Sequence, residues 1–284
     1  MTLMRDAECT AFLQEALPRL HLRWQGFRHV RRQVCRRLER RLRALGLDSL
    51  DDYRHRLERD PREWDVLDGL CRITISRFWR DRAVFDALRA HLLPELATLA
   101  RERGDPRLRA WSAGCASGEE PWSLALLWHL ELAPRFPDLA LSVVASDVDA
   151  RLLERAVEAV YPASSLKELP ASLRRRAFEL ADGGCYRLRT SLRAGVEFRR
   201  EDVRLAAPVD RGPFHLILCR NLAFTYFDDP VQRDVLDRLA NALVPRGALL
   251  VGSHERLPRD ACRFAPEPRL RGAYRRIGRR PKGA

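Results

Sequence analysis

Hydrophobic and polar positions change their periodicity near residue 105. Before this point apolar residues recur at helical spacing, as in Leu20–Leu45, a stretch nearly free of Gly and Pro that ends before Gly46. A second helix follows, with Ser49 as its candidate N-cap and Tyr53 and Leu57 pointing inward. Because no alternating pattern of a strand occurs here, the sequence predicts an all-helical N-terminal domain.

From Arg107 onward, short apolar runs alternate with amphipathic helical patterns. Such alternation is typical of an α/β domain built on a doubly wound parallel sheet. The predicted strands are 108–113, 139–145, 196–198, 214–219 and 248–252, the predicted helices are 119–132, 150–159 and 231–243, and 274–277 is predicted to be a final edge strand.

One segment interrupts this alternation. Between Tyr161 and Gly195 lie a Pro/Ser-rich turn, a short basic helix and the Gly183-Gly184 turn, followed by short alternating runs at 185–189 and 191–193. We interpret 161–195 as a small antiparallel β insert. The predicted domains are 1–80, a basic helical domain with its linker, and 81–284, the α/β domain that carries the insert.

A glycine loop, Trp111–Pro121, joins the first predicted strand to a helix. Gly114 and Gly118 allow a tight turn and the close approach of a ligand at a position where doubly wound folds bind nucleotides. The loop is not G-x-G-x-x-G and has no P-loop lysine, and Glu119 and Glu120 would repel a phosphate. A sulfonium, an amino group or a ribose fits better, which favours S-adenosylmethionine. Acidic residues that simply stabilise a helix N-terminus are the alternative.

Three aspartates refine this interpretation. Asp147 ends the second predicted strand, where nucleoside-binding sheets place an acid on the ribose hydroxyls. Asp149 is predicted to be the N-cap of the next helix. Asp202 follows the third predicted strand of the sheet and either faces the adenine edge or lies in a surface turn.

Composition adds a strong positive charge. The 284-residue chain has a formal net charge of +13, mostly from arginine. Either this is a solvated basic surface, or it serves an acidic partner: nucleic acid, a membrane surface or an acidic protein. No apolar run has the length of a membrane span, so we expect no membrane insertion. Arginines recur at helical spacing in the first domain, so several share a face that is predicted to dock an acidic partner, with a merely solvated face as the alternative: Arg31, Arg32, Arg36, Arg37, Arg40 and Arg41.

The seven cysteines are scattered and form no CxxC pair. This pattern predicts neither a disulfide framework nor a metal site, and it favours a reducing, cytoplasmic location. Cys115 and Cys219 flank the presumed site without an evident base, so we predict that both are packing residues.

Five motifs follow one another between Leu70 and Pro258. They are TISRFWRD (74–81), WSAGCASGEEPWSLA (111–125), ASDVD (145–149), VYP (160–162) and CRN (219–221) with YFD (226–228) beyond it. Taken in this order they resemble the chemotaxis-receptor, CheR-type protein-glutamate O-methyltransferases, of which the chain would be a divergent member.

The resemblance implies a Rossmann-like class I methyltransferase domain with a small β insert, behind a helical N-terminal domain. It implies S-adenosyl-L-methionine as cofactor, S-adenosyl-L-homocysteine as product, and an acidic protein acceptor, the cytoplasmic helical region of a chemoreceptor. We expect a monomer that binds no nucleic acid. Carried over by position, the catalytic residues would be Tyr226 and Arg80, and the cofactor contacts Thr74, Ser76, Arg80, Gly114, Gly118, Glu119, Asp147, Asp202, Val203, Arg220 and Asn221.

The chain departs from the family pattern at several positions. Ser76 stands for the usual Thr and Trp79 for a Phe, and the order of residues is changed in Gly252–Glu255, where we predict structural roles for His254 and Glu255. Leu222–Thr225 has one residue more than the family's motif. If that residue lengthened a strand, Tyr226 would face the wrong way. We predict instead that it bulges out as a loop and leaves Tyr226 in place.

A glutamate acceptor is already ionised at neutral pH, so the transfer needs positioning and no general base. A nucleic-acid methyltransferase is disfavoured, because Cys219–Leu222 lacks the [ND]-P-P-[YF] type of loop that holds a base amino group. A small-molecule carboxyl methyltransferase and a cofactor-binding sensor module on the same scaffold remain alternatives.

Overall fold

The computed structural model describes residues 5–278 and divides the chain into two compact units. The helical unit comprises the chain up to Thr74 together with Ala223–Gln232. The sheet unit comprises Ile75–Leu222 and the chain from Arg233 onward. A short segment distant in sequence therefore belongs to the N-terminal unit.

Five helices form the N-terminal part of the helical unit. They are α1 (Asp6–Ala16), α2 (Trp24–Phe27), α3 (Arg31–Leu45), α4 (Leu50–Arg59) and α5 (Arg62–Cys71), with a 3-10 turn at Leu17–Leu20. The single helix predicted over 20–45 is wrong in its first half, because His21 adopts φ +56 and breaks it. The predicted ends are confirmed: Gly46 is a left-handed C-cap, and the Ser49 side chain accepts from the Asp52 amide.

A buried carboxylate holds α3, α4 and α5 together. Glu63 accepts from the Tyr53 hydroxyl at 2.8 Å and from the Arg41 guanidinium at 2.6 and 2.9 Å. Burial alone would raise the pKa of Glu63, but these hydrogen bonds outweigh it and the net pKa lies below its ordinary value. The guanidinium of Arg41 therefore pairs with Glu63 inside the helical unit.

The arginines of α3 divide into inward and outward groups. Arg37 donates to the backbone carbonyls of Leu70 and Arg72, and Arg31 pairs with Asp6. Several of the six arginines were predicted to share a docking face; of these six, Arg37 and Arg41 are engaged inside the helical unit and Arg31 pairs with Asp6. Three remain exposed at a spacing of four residues, and we call them the arginine row: Arg32, Arg36 and Arg40.

Two of the cysteines are paired, contrary to the prediction of no disulfide. Cys9 of α1 and Cys35 of α3 form a disulfide with a Cα–Cα distance of 6.0 Å. The sequence separation of 26 residues carries no motif, so only the packing of α1 against α3 reveals the pair.

The sheet unit contains a mixed seven-stranded sheet and a small second sheet. The strands are β1 (Arg107–Ala113), β2 (Ala140–Asp147), β3 (Val160–Pro162), β4 (Phe178–Leu180), β5 (Cys185–Leu188), β6 (Val196–Arg200), β7 (Phe214–Leu218), β8 (Leu243–Leu250), β9 (Phe264–Pro266) and β10 (Ala273–Arg276). The large sheet has the order β6-β2-β1-β7-β8-β10-β9.

The neighbours from β6 to β8 are parallel, as predicted, while β10 runs antiparallel to β8 and to β9. The prediction that 274–277 forms the edge strand is wrong, because β10 pairs on both sides. The edge strand at this end of the sheet is β9, whose three residues are too few to show an alternating pattern.

Seven further helices lie in the rest of the described part of the chain, up to residue 278. They are α6 (Arg82–Ala87), α7 (Leu93–Glu102), α8 (Glu119–Leu127), α9 (Ala150–Glu158), α10 (Ala171–Ala177), α11 (Ala223–Tyr226) and α12 (Asp229–Ala242), and π-helical turns at 88–92 and 128–132 follow α6 and α8. Helix α11 belongs to the helical unit, and α12 begins there and continues into the sheet unit. Within residues 5–278 no helix is both long and apolar enough to cross a membrane.

The predicted antiparallel insert is confirmed as a three-stranded sheet of order β3-β5-β4. Its details differ from the prediction, since 190–192 is a 3-10 turn and the third strand is β4. Phe78 packs edge-on against Tyr161 of β3 and Phe178 of β4, at ring distances of 4.8 and 5.1 Å. The insert is thereby joined to the start of the sheet unit.

Candidate active site

The loop between β1 and α8 is clamped to the carboxyl end of β2. The amides of Gly114 and Cys115 donate to the Ser146 carbonyl at 2.8 and 3.0 Å. Gly114 and Gly118 have φ of +78 and +88, a region that favours glycine. A Cβ at Gly118 would lie 2.7 Å from the Ala156 Cβ, so a larger residue at this position would disturb the packing of α8 on α9.

Asp147, at the end of β2, faces this loop. Its two oxygens accept from the amides of Ala116 and Asp149, at 2.9 and 3.0 Å. Burial raises its pKa, and the backbone hydrogen bonds oppose that shift. A carboxylate offers about four lone-pair positions, so Asp147 can also accept from the paired hydroxyls of a ribose. Asp149 caps α9 by accepting from the amides of Arg151 and Leu152, as predicted.

The two acidic residues that open α8 have different surroundings. Glu119 is only 2% exposed and accepts from the Ser117 hydroxyl at 2.8 Å. Glu120 instead accepts from the Ser112 hydroxyl at 2.8 Å and from Arg220 at 3.1 Å. Glu120 is therefore neutralised by a protein cation, and Glu119 is the loop acid suited to a cationic ligand group.

Arg220 connects three of the five motifs. Its guanidinium pairs with Asp81 at 2.6 Å and with Glu120 at 3.1 Å, and it donates to the Arg80 carbonyl at 3.1 Å. The side chain is only 2% exposed, and its Nε–H has no hydrogen-bond partner among residues 5–278. This donor fits an additional acceptor at the site, because a buried donor left unpaired costs about 1–3 kcal/mol.

The segment that supplies Asp81 has an unusual backbone. Trp79 and Asp81 have φ of +60 and +62, a strained region for residues with side chains. Trp79 is buried, stacks on Phe85 at 4.8 Å, and donates its amide to the Ser123 hydroxyl at 3.0 Å. Packing thus fixes the turn in which Arg80 lies.

Three residues of the first motif lie in different surroundings. The Arg80 guanidinium donates to the Ile75 carbonyl at 2.7 Å and is partly exposed, and Ser76 is half-buried in the same segment. Thr74 is the last residue of the first stretch of the helical unit.

Asp202 lies in a turn after β6. Its carboxylate accepts from the Arg204 amide at 2.8 Å and from the Arg204 guanidinium at 2.7 and 2.9 Å. Val203 is buried, and its carbonyl accepts from Arg238 at 2.9 Å.

Glu255 holds the backbone next to Arg220, through a contact with Asn221 that the sequence did not reveal. One of its carboxylate oxygens accepts from the amides of Asn221 and Gly252, at 2.7 and 2.6 Å. Asn221 has φ +55, so this contact fixes a strained residue directly after Arg220. The predicted structural role of Glu255 is confirmed: it ties the end of β7 to the end of β8.

The cysteines at the site are buried, as predicted. Cys115 and Cys219 are 1% and 0% exposed. Burial, with nearby carboxylates, raises the pKa of Cys115 well above its ordinary value, so this thiol stays neutral and is no nucleophile.

Tyr226 lies in the helical unit, in the single turn of α11. Its ring packs at 5.1 Å from that of Phe27. Because β7 ends at Leu218, the additional residue in 222–225 does not lengthen a strand. The predicted loop bulge is corrected to a helical turn, in which the additional residue is absorbed.

Comparisons with known proteins agree on one family. Residues 74–269 match the family described as CheR methyltransferase, SAM binding domain, and residues 29–67 match its all-alpha domain. Chemotaxis protein methyltransferase 2 of Pseudomonas aeruginosa is 37% identical, over 78% of this chain and 77% of that protein. The chemotaxis protein methyltransferase of Salmonella typhimurium is 36% identical, over 80% and 76%.

The Glu255 contact generates a testable prediction. Glu255→Ala leaves the amides of Asn221 and Gly252 without their charged acceptor, which should destabilise the protein by about 2 kcal/mol and weaken cofactor binding. Glu255→Gln keeps one acceptor oxygen and should lose less of both. Thermal unfolding and calorimetry of cofactor binding measure the two effects. The exposed neighbour His254 is the control, and a Glu255→Ala protein that behaves like His254→Ala contradicts this role.

Proposed function

This chain belongs to the CheR methyltransferase family, and from that membership we propose that it methylates glutamate side chains of a chemotaxis receptor with S-adenosylmethionine. The observation that carries the proposal is the Asp147 carboxylate facing a glycine loop at the carboxyl edge of the parallel strands. Such an edge is where α/β sheets bind nucleosides. The comparisons do not favour the small-molecule or sensor alternatives.

The residues of the sheet unit fit the cofactor. Asp147 has acceptor capacity for the ribose hydroxyls, and Glu119 is a buried carboxylate suited to a cationic group. The unpartnered Nε–H of Arg220 suits a cofactor carboxylate. We further propose the remaining cofactor contacts that the family motifs imply, at Thr74, Ser76, Arg80, Gly114, Gly118, Asp202, Val203 and Asn221.

The chemistry asks little of the protein beyond positioning. When bound, S-adenosylmethionine supplies a methyl group on a positively charged sulfur, and its transfer to a carboxylate neutralises both charges. Arg80 and Tyr226 are proposed to orient the acceptor carboxylate through directional hydrogen bonds. Holding the reacting groups in line and excluding water can contribute about 7–11 kcal/mol.

The acceptor is proposed to dock on the arginine row of α3. Arg32, Arg36 and Arg40 are exposed along one face of the helix, and only exposed cations can attract a partner. An acidic helix of a receptor has the complementary charge. Receptor docking on this row and the monomeric state remain our proposals.

The decisive experiment is transfer of labelled methyl groups to the purified cytoplasmic fragment of a chemoreceptor. We expect base-labile label on glutamates. Asp147→Asn should weaken S-adenosylhomocysteine binding at least about tenfold, since a hydrogen bond to a charged group contributes about 1.5–3 kcal/mol. Asp149→Asn makes the same chemical change two positions away and should bind normally, because Asn caps a helix as well as Asp does. Equal affinities for both variants would remove Asp147 from the cofactor site.

The rate of methyl transfer should be nearly independent of pH. At saturating cofactor and acceptor it should stay constant from about pH 6 to 8.5, because a glutamate with a pKa of about 4.3 is ionised throughout. Saturation with cofactor and acceptor is checked at each pH. Single-turnover rates measure the profile. A fall with a midpoint of about 6.5 would indicate a histidine base and contradict the mechanism.

The arginine row should control acceptor affinity. Replacing Arg32, Arg36 and Arg40 by Glu should raise KM for the receptor fragment and flatten its dependence on salt, while kcat stays near that of the wild type. The matched control replaces the same residues by Lys, which keeps the charge and should preserve KM. If KM is unchanged in the Glu variant, the row does not bind the acceptor.

A further inference from the structure

The segment His21–Phe27, which we call the clamp, contacts the turn that carries Tyr226. Arg23 is its centre. The Arg23 Nε–H donates to the Thr225 carbonyl at 3.1 Å, its terminal nitrogen donates to the Phe224 carbonyl, and its amide donates to the Tyr226 carbonyl at 2.8 Å. Arg23 thus supplies donors to the carbonyls of the last three residues of α11.

Contacts on both sides extend this arrangement. The Asp228 amide donates to the His21 carbonyl at 2.9 Å, and Leu22 forms an isolated β-bridge with Phe227. The clamp and residues 223–228 are therefore joined by backbone contacts along their length, and both segments belong to the helical unit.

Gly26 permits the close approach. A Cβ at Gly26 would lie well inside van der Waals contact with the Thr225 carbonyl oxygen, and 3.1 Å from the Tyr226 Cδ1. The Phe27 ring then packs against the Tyr226 ring. The backbone and the ring of Tyr226 are both fixed by residues of the clamp.

We infer that Arg23 is a positioning residue for Tyr226, because it holds the turn that carries this tyrosine within the helical unit. A single four-residue turn has no stability of its own, because helix nucleation is unfavourable. Its geometry therefore depends on the clamp. This inference rests on the proposed function in one respect, the role of Tyr226 in the transfer.

A double-mutant cycle tests whether Arg23 acts through Tyr226. Arg23→Ala should slow single-turnover methylation by about tenfold or more, because a displacement of about 1 Å can cost up to 100-fold. In a Tyr226→Phe background the same change should cost less than about twofold, since residues that act as a unit are not additive. Binding of S-adenosylhomocysteine should stay within about twofold of the wild type in all variants, as expected for loss of transition-state positioning alone.

Two further variants sharpen the comparison. Arg23→Lys keeps the charge but cannot reach both carbonyls with a planar fork, so its rate should lie between those of the wild type and Arg23→Ala. Arg59→Ala, which removes an exposed arginine of α4 in the same unit, should leave the rate unchanged. Additive losses in the cycle, or a loss of cofactor binding in Arg23→Ala, would make Arg23 a residue of the fold and overturn the inference.

Hydrogen exchange separates this inference from the proposed function. Arg23→Ala should speed exchange of the amides in 223–228 by about tenfold or more and leave those of β1 and β2 unchanged, as local opening does. Unchanged exchange in 223–228 overturns the clamp whether or not the protein is active. A wild-type protein that binds S-adenosylhomocysteine but methylates no receptor fragment overturns the proposed function. Equal rates for wild type and Tyr226→Phe remove the tyrosine from the reaction and overturn the inference alone.

Discussion

The cofactor edge of the sheet unit depends on the buried cation of Arg220. A guanidinium with 2% exposure is costly to desolvate, and its ion pairs with Asp81 and Glu120 offset that cost. The pairing requires Asp81 to approach β7, which accounts for the left-handed backbone of Trp79 and Asp81. Removing either acid would leave the buried guanidinium with one carboxylate partner instead of two and would destabilise this edge of the sheet unit. The strain around Arg80 is thus maintained by electrostatics and aromatic packing together.

Residues with different tasks belong to different compact units. Asp147, Glu119 and Arg220 are held by strands and helices of the sheet unit, where backbone contacts fix them closely. Tyr226 belongs to the helical unit, although the strand β7 leads the chain to it. The unit that carries the exposed arginine row therefore also carries the tyrosine.

The sequence predicted the features whose signals are local. The glycine loop, the Ser49 and Asp149 caps, the parallel strands and the antiparallel insert follow from periodicity and from residue types at turns. Contacts between distant segments were not predictable in this way. The ion pair of Glu120 with Arg220 appears only once β1 and β7 are adjacent, the Glu255–Asn221 contact once β7 and β8 are adjacent, and the Cys9–Cys35 disulfide once α1 and α3 are adjacent. Very short strands such as β9 give no pattern at all.

The net charge of +13 is a weaker guide to the partner than it first suggests. Several arginines act inside the protein: Arg220 in its ion pairs, Arg41 on the buried Glu63, and Arg23 and Arg37 on backbone carbonyls. A guanidinium offers five donors in a fixed plane, so it joins elements that a neutral side chain could not join. Such residues add to the formal charge without offering a surface to a partner. The case for an acidic acceptor therefore rests on the exposed arginine row of α3, where charge and accessibility coincide, and composition alone could not have located it.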